Sequence, residues 1–183
     1  MELPDMEDLS TAELLYHGST VEVQRVDLSK GVPKKDFGAG FYTTSVQLQA
    51  EKFAVIKAAR EKIQRGFVSV YEFCKSKELK IFNFKKADIE WLNYVLLNRG
   101  YLQEQAMHEA GQADVITGPV ANDAVGLVLN QLMAGTYGDP TSRVAKETAI
   151  RLLETEKLYN QVFFRTQKAV DCLKFIKSYG VNR

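Results

Sequence analysis

The chain has 183 residues, and its composition, 45% hydrophobic and 26% charged, is that of an ordinary globular protein, which excludes global disorder. Its formal net charge of +1, from 24 basic and 23 acidic residues, gives no general attraction to nucleic acid or to anionic membranes. Two cysteines are too few for a disulfide framework, and neither a membrane span nor a secretory signal is recognisable, so we expect a cytoplasmic protein with no membrane association.

The first predicted strand leads towards a segment rich in glycine and aromatic residues. The strand covers residues 14–17 and closes at Gly18 and Ser19. After a polar connection, residues 36–44 place two glycines directly before the aromatic pair Phe41 and Tyr42, a pattern typical of a tight turn. Thr44 and Gln47 then have the spacing of a capping box, so we predict a helix from Thr44 to about residue 65.

The remaining elements alternate between strands and helices without a regular βαβ rhythm. Strands are predicted at 67–73, 79–84, 113–120 and 162–164, and helices at 88–98, from Asn122 or Asp123 to about 133, from 141 to about 158 and from 167 to about 179. The order predicts one α+β domain over residues 1–183 rather than a doubly wound sheet.

Individual residues are also assigned to core or surface. Trp91 is predicted as core on its helix, and His108 as a surface loop residue. The last predicted helix turns four residues inward: Ala169, Cys172, Leu173 and Ile176.

Three short segments carry residues suited to binding chemistry. They are residues 16–19 (Tyr-His-Gly-Ser), residues 38–44 and residues 160–164 (Asn-Gln-Val-Phe-Phe). Taken singly, each has an ordinary structural interpretation: a polar residue at a strand end, a tight turn beside packed aromatic rings, and the start of an apolar strand. Their order and spacing along a chain of this length favour a shared site.

The three segments together resemble the ADP-ribosyltransferase superfamily, in its diphtheria-toxin-like or PARP-like branch. That branch carries a histidine on an early strand, a tyrosine at the end of the next strand and an acidic residue leading a late strand. More narrowly, the chain is similar to the bacterial DUF3990 family, whose LYHGS, DFGxGFYTT, GPVAND and NQxxF segments correspond here to residues 15–19, 36–44, 118–123 and 160–164. The resemblance covers roughly residues 14–175 and implies split mixed and antiparallel sheets with flanking helices.

The resemblance assigns roles around NAD. His17 is implied to bond a hydroxyl of the nicotinamide ribose, Gly18 to pair its backbone with the carboxamide, and Tyr42 to stack on the nicotinamide ring. Further NAD contacts are expected from Ser19, Gly38, Gly40, Phe41 and Thr43. No metal is expected, and the resemblance implies that positioning and electrostatics stabilise the oxocarbenium-like transition state that releases nicotinamide.

The chain departs from the superfamily at Gln161, where the transferases keep a glutamate. An amide can still bond a ribose hydroxyl, but it carries no charge. A carboxylate about 4 Å from a cation contributes roughly 4 kcal/mol at an effective dielectric near 20, which corresponds to about three orders of magnitude in rate. If this charge is the missing part, a Gln161→Glu exchange is expected to gain NAD hydrolysis.

Other carboxylates are candidates to supply the charge. Asp36 precedes the glycine-rich turn, and Asn122 and Asp123 form a possible additional pair because the family segment includes both. The ordinary interpretation is a loop cap for Asp36 and a helix N-cap for Asp123. Glu154 and Glu156 are expected on a solvated helix face.

The leading functional hypothesis is a mono-ADP-ribosyltransferase that moves ADP-ribose from NAD to a macromolecular acceptor. The resemblance also implies the toxin of a toxin–antitoxin or defence system, with an antitoxin protein as partner. The alternative is a module that binds NAD or ADP-ribose without turnover. An RNA 2′-phosphotransferase on the same fold ranks lower, because Tyr42 occupies the ring-stacking position.

Other enzyme classes lack their motifs. Residues 36–38 spell the kinase DFG, but no phosphate loop or catalytic loop accompanies them. The sequence has no GxSxG elbow of a serine hydrolase and no GxGxxG of a Rossmann dinucleotide site. His17 and His108 are the only histidines, and no zinc-binding pattern surrounds them.

Overall fold

A computed structural model describes residues 13–102, 109–120, 125–153 and 160–182. The strands are β1 (Glu13–Ser19), β2 (Phe41–Thr43), β3 (Arg65–Phe73), β4 (Ile81–Asn83), β5 (Val115–Pro119), β6 (Asn160–Phe164) and β7 (Leu173–Asn182). The helices are α1 (Gln47–Arg60), α2 (Ile89–Asn98), α3 (Val125–Met133), α4 (Arg143–Leu152) and α5 (Gln167–Val170). None of the helices in these ranges has the length and apolar character needed to cross a membrane.

Two sheets form the frame of the molecule. The first is antiparallel with the order β1-β3-β7. The second has the order β2-β6-β5-β4, in which β4 and β5 run parallel and the other neighbours run antiparallel. The sheets are joined where Tyr16 of β1 and Thr44, directly after β2, form an isolated backbone bridge. The predicted α+β class, with mixed and antiparallel sheets, is confirmed.

The core lies in layers on both sides of each sheet. Apolar side chains from the two sheets, such as Leu15, Tyr71 and Phe164, pack together in one cluster. Helix α1 buries three alanines and packs with Val68 and Val70 of β3. The largest cluster joins α2, α3 and α4 to the second sheet through residues such as Ile116 and Phe163, and it includes Trp91, which is fully buried as predicted.

The predicted helix over residues 167–179 is wrong. Only α5 is helical there, and β7 follows it as the second neighbour of β3. Ala169 is buried as predicted, but Ile176 is 46% exposed. The apolar spacing imitates a helix, whereas the aromatic and β-branched residues of β7 favour a strand, and the free side of β3 supplies its partner. Pairing with a distant strand has overridden the local pattern.

Helix α1 is shorter at both ends than predicted. Val46 occupies the N-cap position and makes no side-chain cap bond, so the capping box of Thr44 and Gln47 does not form. Thr44 is held instead by its bridge to Tyr16, and its hydroxyl accepts the Val46 N–H at 3.1 Å. The helix ends at Arg60, and residues 65 and 66, which were predicted to end it, already belong to β3.

The other predicted elements are confirmed within a few residues. The predicted strands correspond to β3, β4, β5 and β6, and the helix at 88–98 corresponds to α2, with Asp88 as its N-cap. Helix α3 ends at Met133 as predicted, and Ser142 caps α4. Four groups of predictions lie outside the described residues: Asn122 and Asp123, His108, Glu154 and Glu156, and the end of the helix predicted to reach 158.

Candidate functional site

The candidate site lies at the junction of the two sheets. Tyr16 donates its N–H to the Thr44 carbonyl at 2.8 Å, and Thr44 returns its N–H to the Tyr16 carbonyl at 3.0 Å. Beyond this isolated bridge, β1 continues to His17 and Gly18, while the chain runs back through Thr43 to Tyr42. An antiparallel register continued from the bridge would set Gly18 opposite Tyr42, but β1 and β2 form no ladder there. The pairing of the two strands is therefore interrupted between these two residues, and this interruption is the gap between β1 and β2.

His17 is fastened to β2 across this gap. Its Nδ1 lies 2.6 Å from the Tyr42 carbonyl oxygen, and its ring packs on Phe41 with centroids 4.5 Å apart. Because a carbonyl oxygen only accepts hydrogen bonds, Nδ1 carries the proton. Burial lowers the pKa of His17 to about 4, the bond to the Tyr42 carbonyl opposes that shift, and the nearby Lys57 ammonium adds to it. At neutral pH the ring is therefore uncharged, and Nε2 is an acceptor.

Gly18 directs a donor and an acceptor towards the gap. Residues two apart along a strand point their backbone groups to the same side, so the N–H and C=O of Gly18 follow those of Tyr16 towards β2. Packing also requires glycine at this position, since a Cβ on residue 18 would overlap the carbonyl oxygen of Ala50 in α1. The same glycine thus lets α1 pack closely on one side of β1.

Tyr42 is fixed by the loop that precedes it. Its hydroxyl donates to the Gly38 carbonyl at 2.7 Å and accepts the Phe37 N–H at 3.1 Å, and burial raises its pKa above the ordinary value. Gly38 has φ of +96°, a backbone conformation that favours glycine. The Tyr42 ring is half-buried and packs on Phe163 with centroids 4.7 Å apart. His17 thus contacts the backbone of Tyr42, whereas the two rings pack on different neighbours.

Gln161 shares a sheet face with Tyr42. Tyr42 is paired with Phe163 in the register of β2 and β6, and Gln161 lies two residues from Phe163 on the same side. The two residues are thus diagonal neighbours, which in antiparallel sheets lie about 7–8 Å apart. Gln161 is 6% exposed, and its Nε2 donates to the Pro119 carbonyl at 3.1 Å.

Asp36, a predicted candidate for the charge, lies beside Gln161. Its Oδ2 is 3.4 Å from the Gln161 Nε2. Its Oδ1 accepts from Arg99 Nε at 2.8 Å and from Arg99 Nη2 at 2.5 Å. The Asp36 side chain is 7% exposed and that of Arg99 is 24% exposed, so this ion pair is largely shielded from water. The fold therefore places a carboxylate next to the amide.

The comparisons with known proteins cover these segments. A family model described as a protein of unknown function (DUF3990) matches residues 14–175. The chain belongs to the DUF3990 family. A search of the curated proteins found no match. The matched region of this DUF3990 chain includes β1, the loop that holds Tyr42, and the β6 strand that carries Gln161.

Several other predicted contact residues of the DUF3990 chain have side chains committed to packing. Ser19 is 7% exposed, Phe41 packs edge-on against Tyr71, and Thr43 donates its hydroxyl to the Val162 carbonyl at 3.1 Å. Gly40 packs against Phe163 so closely that a Cβ there would overlap the ring. At these positions the side chains are therefore used for packing within the fold.

Two residues near the site were not predicted. Arg99 follows α2, where a basic side chain is ordinary at a helix C-terminus and gives no sequence signal of a partner 63 positions away. Lys57 of α1 is close enough to affect the pKa of His17, and its own pKa is lowered by burial and by Lys35 while Glu61 opposes the shift. In the described ranges no cluster of three or more metal-ligating side chains is found.

Proposed function

We propose that this protein binds NAD at the junction of the two sheets and transfers ADP-ribose to a macromolecular acceptor. The observation that carries the proposal is the interrupted strand pairing beyond the Tyr16–Thr44 bridge, with a neutral His17 and the backbone of Gly18 beside it. A carboxamide has one acceptor and one donor face, which the N–H and C=O of one glycine match. The family resemblance supplies the identity of the ligand.

Each residue has a defined task in the proposed site. His17 Nε2 accepts a hydrogen bond from a ribose hydroxyl, because Nδ1 is already committed to the Tyr42 carbonyl. Tyr42 offers a ring whose hydroxyl is held by the loop at Gly38, so the ring is oriented before a ligand arrives. Gln161 bonds a second ribose hydroxyl. The positive charge of Lys57 near His17 suits the pyrophosphate of NAD.

The proposed reaction breaks the glycosidic bond between the nicotinamide nitrogen and ribose C1′. Nicotinamide leaves with the bonding electron pair, and an acceptor nucleophile forms a new bond to C1′ and releases its proton. The residues of the chain contribute by holding the ribose and the ring in a productive orientation and by stabilising the positive charge that develops on the sugar.

Transfer of label tests the proposal. Purified protein is incubated with NAD labelled in the adenylate part and with bacterial lysate, and nicotinamide release is followed in parallel. Wild type is expected to label a protein or nucleic-acid fraction, and His17→Ala to reduce labelling at least about tenfold, through loss of one bond to the ligand. Arg143→Ala is the matched control, because Arg143 is exposed on α4 and pairs only with Glu147 among the described residues. Absence of both label and released nicotinamide in wild type would reject the transferase.

The second candidate is a module that binds NAD or ADP-ribose without turnover. The uncharged amide of Gln161 favours it, because the charge of Asp36 is paired with Arg99. Calorimetry with NAD and with ADP-ribose, run beside the nicotinamide assay, separates the two candidates. Binding with no product formation identifies the module.

The cellular role is also a proposal. We infer a cytoplasmic toxin with an antitoxin partner from the family resemblance. Induced expression of wild type in a bacterial host is expected to arrest growth, and His17→Ala is expected to relieve the arrest. Equal growth of both strains at equal protein levels would contradict the toxin role.

A further inference from the structure

The Gln161 side chain has only one favourable amide orientation in this fold. Its Nε2 lies 3.1 Å from the Pro119 carbonyl and 3.4 Å from Asp36 Oδ2. Both neighbours are acceptors, and the two hydrogens of the amide nitrogen match them. The flipped amide would set an oxygen against a carbonyl and a carboxylate. Gln161 therefore turns its nitrogen towards Asp36 and presents Oε1, an acceptor, on the opposite side.

Asp36 is itself held in a fixed orientation. Arg99 donates twice to Oδ1, at 2.5 and 2.8 Å, and Oδ2 faces Gln161. The Asp36 side chain is only 7% exposed, so water cannot readily replace these contacts. A chain of Arg99, Asp36 and Gln161 thus runs from the end of α2 to the sheet face that carries Tyr42.

A glutamate at position 161 would conflict with this chain. One of its oxygens would take the place of the amide nitrogen, beside the Pro119 carbonyl and the Asp36 carboxylate. Two carboxylates that share a site cannot both ionise easily, and one of them takes up a proton. The exchange that seems from the sequence to restore a missing charge would therefore add none.

We propose that Asp36 is the positioning residue of the site: it fixes the Gln161 amide so that Oε1 accepts from the NAD ribose, and it places a carboxylate on the loop instead of on β6. This inference rests on the proposed function. Gln161 and Asp36 then act as a matched pair, and their identities are interchangeable only together: a glutamate at 161 requires an amide at 36.

Reciprocal exchange tests the matched pair. NAD hydrolysis is measured as nicotinamide release for wild type, Asp36→Asn, Gln161→Glu and the double variant. Each single variant is expected to lose about 100-fold in kcat with little change in KM, as small displacements of positioning groups do. The double variant is expected to recover at least about tenfold over the better single variant, because it again pairs one carboxylate with one amide.

Asp114→Asn is the matched control for removing the charge of a buried, ion-paired aspartate. Asp114 is 8% exposed and bonds Lys168 Nζ at 3.0 Å and the Lys80 N–H at 2.9 Å, away from Gln161. Its variant is expected to lower the melting temperature but to keep kcat within about threefold of wild type. A merely structural role for Asp36 would make both aspartate variants behave alike.

A second measurement does not require activity. In Gln161→Glu the paired carboxyls should hold one proton in the folded state, so the melting temperature of this variant should fall relative to wild type as pH rises from 4 to 8. The double variant should show no such fall.

Three results overturn the inference: Gln161→Glu hydrolyses NAD as fast as wild type or faster, the double variant is no better than the single ones, or the melting temperatures of wild type and Gln161→Glu run parallel with pH. Wild type with neither NAD binding nor turnover rejects the proposed function instead, and the pH comparison still decides whether Asp36 and position 161 are paired.

Discussion

Replacing Tyr42 by phenylalanine removes one oxygen that fastens the loop before β2 in two ways. The hydroxyl donates to the Gly38 carbonyl at 2.7 Å and accepts the Phe37 N–H at 3.1 Å. Each hydrogen bond contributes about 1 kcal/mol net, and a buried donor or acceptor that is left unsatisfied costs somewhat more. We therefore expect a loss of about 2 kcal/mol in the free energy of unfolding. For a domain of this size, that loss lowers the melting temperature by roughly 4–8 °C.

The assay is urea unfolding of wild type and Tyr42→Phe followed by circular dichroism, with equal m-values required. Tyr101→Phe serves as control, because its hydroxyl bonds only the exposed Asn130 side chain among the described residues and should change stability by less than about 1 kcal/mol. The phenylalanine ring keeps the surface proposed to stack on nicotinamide, so NAD binding should survive. A loss for Tyr42→Phe no larger than that for the control would refute the fastened loop.

Three further perturbations test the junction and the corrected strand. Because burial lowers the pKa of His17 to about 4, unfolded chains bind more protons between that value and the ordinary one near 6.5, and stability should fall by about 3 kcal/mol as pH drops from 7 to 4. His17→Asn should remove this part of the pH dependence, and an unchanged profile contradicts a His17 ring that stays neutral in the folded state. Gly18→Ala should destabilise by about 3 kcal/mol because its Cβ meets the backbone of α1, whereas Gly111→Ala, in open space, should change little. Cys74 donates its N–H to the Cys172 carbonyl at 2.9 Å, so mild oxidation should join the two thiols within one chain and stabilise it by up to about 4.7 kcal/mol, while failure to join argues against β7.

The sequence alone was sufficient to predict those strands and helices in which the local pattern and the long-range pairing agree. Residues 67–73 alternate like a strand, and β3 lies in the middle of its sheet with partners on both sides. The helix predicted at 88–98 forms as α2, which Asp88 caps through a bond to the Trp91 N–H. In such elements each local preference is consistent with the packing around it.

Local pattern failed where a distant partner decides the conformation. Residues 167–179 carry apolar side chains at helical spacing, but β7 forms because β3 has an open edge, which no window of local sequence contains. Thr44 is a residue type that commonly caps helices, but its backbone instead forms a bridge to Tyr16 of β1. In both cases the competing interaction comes from residues far along the chain.

The candidate site was predicted in its residue types but not in its connections. The motif indicated Gln161 and Asp36 as separate candidates 125 positions apart, and only the folded chain brings the amide and the carboxylate to 3.4 Å. The sequence did not indicate Arg99 as a site residue, because an ion pair between distant segments produces no recognisable spacing in the sequence. The role of Gly18 in packing under α1 was equally hidden, since it depends on where the helix crosses β1.

Hydrogen exchange with and without NAD tests the central claim most directly, since it reports on the junction itself. Peptides that cover β1 and the loop leading into β2 should exchange more slowly in the presence of saturating NAD, because the Gly18 N–H gains an acceptor and the strands on either side of the gap are held together. In His17→Ala the same peptides should show no NAD effect. Exchange that is unchanged at β1 and β2 in wild type, or slowed only elsewhere in the chain, would contradict an NAD site at this junction.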